Sequence, residues 1–342
     1  MTPPGIGTPL RSLACTLGAH RVWQRAYRHK LLVVMYHGVT DDRAVARRWW
    51  HHVYTGDFEQ QLRYLQRHYE TLPLDDALGA HWSGGLERPT ACITFDDGYL
   101  NNRTAALPVL ERLGIPATIY LATGMIGTTR RLWTVELDFA FKSASATEVD
   151  LSPVGLGRQA IADRRSRYRV FEKVLDLVKE FSPAERTPLL ESLYEQLAAP
   201  DDPIAHEPFR MMQWNDAEQM AGGGLVTFGA HTVNHEIVSR LTSEDVQKEI
   251  TESMAEVERR VSAVTKTFAY PNGGRTDFDS RAVAAVKTAG GIGAVTTVEG
   301  LCDAAEDHYA IKRIGVGSDT GFDQFRLLTS GAISDLKRLR LR

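Results

Sequence analysis

Short, nearly continuous apolar runs alternate along this chain with longer stretches in which apolar residues return at helical spacing. That rhythm argues for an α/β fold of parallel strands joined by crossover helices. The apolar runs predict strands near residues 31–36, 91–95, 117–121, 225–230, 267–270, 292–296 and 311–316. Helices are predicted around 57–69, 103–113, 243–264 and 278–289. The third is the best marked, with Ser243 and Glu244 at its start and Val246, Ile250, Met254, Val257 and Val261 along one face. Seven strands suit an irregular (β/α)7 barrel, a fold that gathers its chemistry at the carboxyl ends of the strands. Residues 122–212 break the rhythm, with a charged helical piece from Arg158 to Glu180, a second from Pro183 to Leu197, and a connector rich in proline. They are read as an insertion that covers one side of the barrel and shapes a substrate cleft. No repeat of fixed period and no low-complexity tract occurs.

Composition narrows the class without naming a chemistry. The chain has 342 residues, 43% of them hydrophobic and 24% charged, as in ordinary soluble globules. A formal net charge of -3 gives no footprint for nucleic acid. Cys15, Cys92 and Cys302 are far apart and form neither a disulfide framework nor a paired metal motif, which favours a reducing compartment. The first 30 residues lack a continuous apolar core, so a cytoplasmic location is expected. In that segment Leu10, Leu13, Ala14 and Leu17 share a helical face while Arg11, Arg21, Arg25, Arg28 and Lys30 add positive charge. Two readings stand side by side: peripheral contact with an anionic membrane, at its inner face, or a helix packed on its own domain. The basic tail Lys337-Arg338-Leu339-Arg340-Leu341-Arg342, within residues 331–342, admits the same pair.

The chemistry is concentrated in a few loops. Asp96 and Asp97 follow the apolar Ala91-Cys92-Ile93, and two adjacent carboxylates at the exit of a buried strand are costly unless a metal or a catalytic task employs them. His231 and His235 follow a second apolar run, Leu225-Val226-Thr227-Phe228, and two imidazoles at this spacing can converge on one ion. One carboxylate and two histidines form a divalent-metal set with positions left for water and substrate. The sequence Thr94-Phe95-Asp96-Asp97-Gly98-Tyr99, then His231-Thr232-Val233-Asn234-His235, then Tyr270-Pro271-Asn272-Gly273, resembles the NodB-type polysaccharide deacetylases, carbohydrate esterase family 4, over roughly residues 31–320.

The resemblance implies the (β/α)7 barrel of that family over residues 31–330 and assigns roles by motif. Asp96 becomes the general base, while Asp97, His231 and His235 become the ligands of one divalent ion, with zinc the usual choice and cobalt, nickel or manganese acceptable. The third motif departs from the family pattern: Ala269 stands where many members have Arg, so whatever orients Asp96 must come from elsewhere. Tyr270, Pro271 and Asn272 are candidate substrate contacts, with the backbone N–H of Asn272 aimed at the oxyanion. The late strand ending at Ile314 offers no histidine for the general acid. His37, at the exit of the first strand, resembles the opening Tyr-His motif of the exopolysaccharide deacetylases and is assigned instead. His308 is the next candidate but precedes its strand. Trp49 and Trp50, with Trp133 and Trp214, are candidate platforms for sugar rings. The expected activity is removal of acetyl groups from N-acetylated sugars of a surface polysaccharide or its lipid-linked precursor. The rivals are a hydrolase of another amide, cyclic or in peptidoglycan, and a non-catalytic carbohydrate-binding module on the same fold.

Overall fold

The structure is a computed structural model that describes residues 15–16, 18–200, 202 and 206–333. Seven parallel strands carry the fold: β1 (Leu31–Tyr36), β2 (Thr90–Phe95), β3 (Ala117–Leu121), β4 (Val226–Ala230), β5 (Val264–Ala269), β6 (Gly293–Glu299) and β7 (Ile311–Gly315). They pair in chain order, and β1 closes the ring by bonding to both β7 and β2. The β1–β2 register runs from Leu31 opposite Thr90 to Tyr36 opposite Phe95, so both strands end at one level. This is the (β/α)7 barrel that the apolar rhythm predicts, with every predicted strand present.

Successive side chains along each strand serve two different cores, as the twofold period of a strand requires. Leu31, Val33, Cys92, Tyr120, Val295 and Ile311 fill the barrel interior together with Leu74 and Leu78 of the helix Leu74–Trp82, which plugs the amino end. Leu32, Val34, Ile93, Ile119, Phe228 and Phe268 point outward to the surrounding helices. Near the carboxyl end the interior positions turn polar, with Thr94, Asp96 and Arg313 all buried.

Several predicted boundaries shift for identifiable reasons. The long helix spans Ser243–Arg260, capped by the Thr242 side chain, and stops because Val264 begins β5. The helix predicted at 103–113 starts as a π turn, Asn102–Ala106, before continuing as Leu107–Leu113. Within 122–212 the helix Pro183–Leu197 occurs as read, whereas the charged piece begins at Arg164, because Gly157–Ala160 forms a hairpin with Glu148–Leu151. These elements and the helix Trp133–Ser143 share a hydrophobic core of their own around Phe141, Val149, Val174 and Leu193. A short parallel pair, Gly38–Thr40 with His52–Tyr54, lies just past β1 and was not anticipated.

Leu10, Arg11, Leu13, Ala14, Leu17 and the basic tail lie outside the described residues. The described helix Ala19–Ala26 packs on the protein itself: His20 and Gln24 are buried, and Gln24 Nε2 donates to the His68 carbonyl at 2.8 Å. Among the described residues no helix is long and apolar enough to cross a membrane.

Candidate active site

Loops after β1, β2, β4 and β5 bring the predicted residues to one end of the barrel. Asp97 Oδ1 lies 3.3 Å from His235 Nε2 and 3.6 Å from His231 Nε2. The three ligand atoms all fall within 4.8 Å of one another. His231 Nδ1 donates to the Ala269 carbonyl at 2.7 Å. Burial pushes the His231 imidazole down to about 4, so it is neutral at pH 7 and its Nε2 lone pair faces the carboxylate. Asp97 Oδ1 is buried and has no hydrogen-bond donor. Lone pairs and an unpaired carboxylate oxygen converging on one point repel each other unless a cation sits among them. The donor set therefore fits a divalent metal ion.

The backbone here is held in conformations that side chains rarely adopt. Asp97 (φ 76°), Thr232 (φ 61°), His235 (φ 57°) and Asn272 (φ 59°) are left-handed, leaving Ala198 as the one other such non-glycine residue among those described. Strain of this kind persists where surrounding bonds over-determine it. Glu249, on the helix Ser243–Arg260, supplies them for the histidine loop: its Oε2 accepts from the N–H groups of Val233 and Asn234 at 2.8 and 2.9 Å, and its Oε1 from Asn234 Nδ2 at 2.7 Å.

Asp96 is oriented by a residue that the motif reading did not supply. Arg313 on β7 donates Nη1 and Nη2 to the two Asp96 oxygens at 2.7 and 2.6 Å, a bidentate fork. Its Nε donates to the Thr296 carbonyl at 2.8 Å and its Nη1 also to Thr94 Oγ1 at 3.2 Å, and the side chain is wholly buried. Burial tends to raise the Asp96 carboxyl, yet the Arg313 guanidinium, then His231, bring it below its ordinary value. The vacancy at Ala269 is thus filled from a different strand. A charged residue at an inward position of a buried strand, two after Ile311, is the signal that could have revealed it.

His37 and Asp96 leave adjacent strands side by side, since Asp96 N–H donates to the Tyr36 carbonyl at 3.0 Å. The His37 backbone is fixed by Asn102 Nδ2, which donates to its carbonyl at 2.6 Å from the π turn after the double-acid loop. The ring meets His51 and Trp50 edge-on, with centroids 5.5 and 6.0 Å away. Trp50 is 42% exposed and its Nε1 donates to Asp319 at 2.7 Å, which presents the indole beside His37. Trp49 corrects the pair as read from sequence: it is 1% exposed, wedged between Phe139 and Phe209, and unavailable to a sugar. The alternation of adjacent side chains sends one indole inward and the other out. His308 stacks on Trp82 at 3.9 Å, on the helix that plugs the amino end, far from this constellation.

In the third motif Tyr270 is also a correction, since its ring is fully buried and stacks on Phe278 at 4.3 Å, and Pro271 is buried with it. The Asn272 side chain donates to Asp277, and its carbonyl accepts from Thr297 Oγ1 at 2.5 Å, so the turn is fixed from both sides. The backbone N–H of Asn272 has no partner among the described residues.

With this fold and this cluster of buried acids and histidines, the chain matches the model of the polysaccharide deacetylase family over residues 83–291. It belongs to that family. A curated relative, the putative polysaccharide deacetylase YxkH of Bacillus subtilis, is 31% identical over 105 residues, a match covering 30% of this chain and 36% of that protein. Among solved structures, the Streptococcus pyogenes deacetylase PplD in complex with acetate superposes with a TM-score of 0.56 at 18% identity, covering 88% of this chain and 98% of its own. IcaB from Ammonifex degensii gives 0.53 at 18% identity over 88% and 97%. At such identities the likeness is one of fold.

Proposed function

We propose that the protein is a metal-dependent N-deacetylase acting on N-acetylated sugars of a surface polysaccharide or its lipid-linked precursor. One observation carries the reading: Asp97, His231 and His235 converge, while a second carboxylate, Asp96, stands next to them held ionised by Arg313. Asp97 and the two imidazoles would hold the ion, zinc or another borderline divalent metal. When bound, such an ion polarises an acetyl carbonyl and acidifies a water molecule. Asp96 takes the proton of the attacking water on a carboxylate oxygen that Arg313 keeps aligned. The Asn272 N–H donates to the oxygen of the tetrahedral carbon, adding to oxyanion stabilisation. His37, whose Nδ1 is buried, hands a proton from Nε2 to the departing amine.

Acetate release from N-acetylglucosamine oligomers, measured with elemental analysis of the purified protein, tests this. The expected result is one divalent ion per chain, turnover abolished by a chelator and restored by zinc or cobalt. Undiminished acetate release from metal-stripped protein, or none from metal-loaded protein across a panel of acetylated glycans, would overturn it.

A further inference from the structure

The helix Ala19–Ala26 buries one side and shows the other. His20 and Gln24 turn inward, whereas Arg21, Val22, Arg25 and Ala26 form an exposed stripe that Arg28 and His29 extend past its end. Val22 is 68% exposed, more than any other large hydrophobic residue among those described. Two bordering acids are engaged elsewhere, Asp303 with Lys30 at 3.3 Å and Asp323 with Arg326 at 3.3 Å, while Glu70 is exposed just past Tyr69. Arg21, Arg25 and Arg28 make no ion pair among the described residues.

The other end of the chain arrives at the same place. Leu327, on the helix Phe322–Thr329, and Ala332 form a small buried cluster with Cys15, onto which Trp23 and Ile333 pack. A methyl group on Gly331 would come within 2.8 Å of the Tyr27 ring. The basic run from Lys337 to Arg342 follows Ile333 by four residues, a span of at most ~14 Å. Residues 1–30 hold five Lys or Arg and no acid, and residues 331–342 hold four and one acid, in a chain whose net charge is -3. The sequence thus concentrates positive charge at both ends, and the fold brings the helix and the start of the tail together.

This pole lies opposite the reaction centre. Lys30 leads directly into β1, which starts opposite Thr90 at the amino end of β2, while Asp96 follows the carboxyl end of β2. At ~3.3 Å per residue a strand of this length separates them by about 20 Å. A cationic stripe with an apolar side chain in it suits a layer of anionic headgroups, where arginines meet phosphate and Val22 enters the apolar boundary. A nucleic acid offers phosphate without that boundary, and the chain as a whole is negative.

We propose that this pole docks the protein on an anionic phospholipid surface, with the reaction centre facing away from it. The inference does not depend on the deacetylase reading. Cosedimentation of the whole chain with vesicles of phosphatidylcholine, alone or with one third phosphatidylglycerol, at low and high salt, tests it. Wild type should bind the anionic vesicles, leave them at high salt and ignore the neutral ones. The triple variant Arg21→Gln, Arg25→Gln, Arg28→Gln should bind about 100-fold more weakly, since each basic residue near such a surface counts for about fivefold. Arg21→Lys, Arg25→Lys, Arg28→Lys should bind as wild type does, and melting temperatures should agree throughout. Should the glutamine variant melt early, Val22→Ser decides: affinity about threefold weaker supports docking, unchanged affinity refutes it. No binding by wild type, equal binding to neutral vesicles, unchanged affinity in a stably folded glutamine variant, or tighter binding to a DNA duplex than to vesicles overturns the proposal.

Discussion

Arg313 shows how one side chain can satisfy two demands at once. A buried carboxylate is tolerable only when paired and hydrogen-bonded, and the general base proposed for Asp96 needs one orientation; the bidentate fork from Arg313 answers both demands. Arg313→Met should therefore destabilise the fold by about 3–5 kcal/mol, since it strands an unpaired acid in the interior. Arg313→Lys keeps the charge but loses the fork, so the fold should survive while kcat falls about 10- to 100-fold. Urea unfolding beside acetate release separates the two effects, and an unaltered kcat in the lysine variant would refute the orienting role. Asp96→Asn should abolish turnover with metal retained, and His37→Gln should lower kcat with metal content intact. Metal loss in either variant, or an unchanged rate, would contradict those roles. The convergence of Asp97, His231 and His235 was legible because these residues are crowded into short motifs at strand exits. Arg313 was not, because it lies 217 residues from its partner within a strand judged by whether it ended in histidine.

At the level of elements, the strands could be read almost residue by residue because burial on both faces leaves an unbroken apolar run. The helix Leu74–Trp82 escaped notice, since Leu74, Ala77, Leu78 and Trp82 make a short apolar face interrupted by Asp75, Asp76, Gly79 and His81. The short pair Gly38–Thr40 with His52–Tyr54 has too few residues for any periodicity to show. Glycines test the packing of these elements in opposite directions. A methyl group on Gly229 of β4 would approach the Tyr120 ring to 2.6 Å and Thr265 Cγ2 to 2.7 Å. Gly229→Ala should cost about 1–3 kcal/mol as Tyr120 is pushed from its 2.7 Å bond to Thr267. Gly79, inside the plug helix, has open space around its Cα, and Gly79→Ala should instead stabilise by about 0.5–1 kcal/mol. Thermal melts of both variants check the pair, and the opposite order would mean that the barrel interior is looser than described.

For the molecule as a whole, the buried histidines set a pH limit. Burial lowers His231 and His52 to about 4 and His51 to about 3. In the unfolded chain such groups take up protons below about 6.5. The native state cannot match that uptake until pH nears the lowered values, so stability is fully present above about 6.5 and drains away as pH falls toward 4. Asp96 adds to this only at lower pH, since its stabilisation is present above the ordinary carboxylate range and is lost beneath it. Melting temperatures of chelator-treated protein should be level from about pH 8 to 7 and drop steadily from about 6.5 to 5. A flat profile across that lower interval would show that these imidazoles are solvated.

The order in which the chain leaves the ribosome adds a last consequence. The acid in the double-carboxylate turn is made early, and the guanidinium that neutralises it is made 217 residues later, on the strand that also seals the ring against the first one. Until that final strand emerges, the nascent polypeptide holds an open sheet edge and an unmatched charge in what will become its interior. Shortened products ending before residue 313 should therefore be insoluble, because neither the ring nor the Asp96 pair can form until that strand has been made.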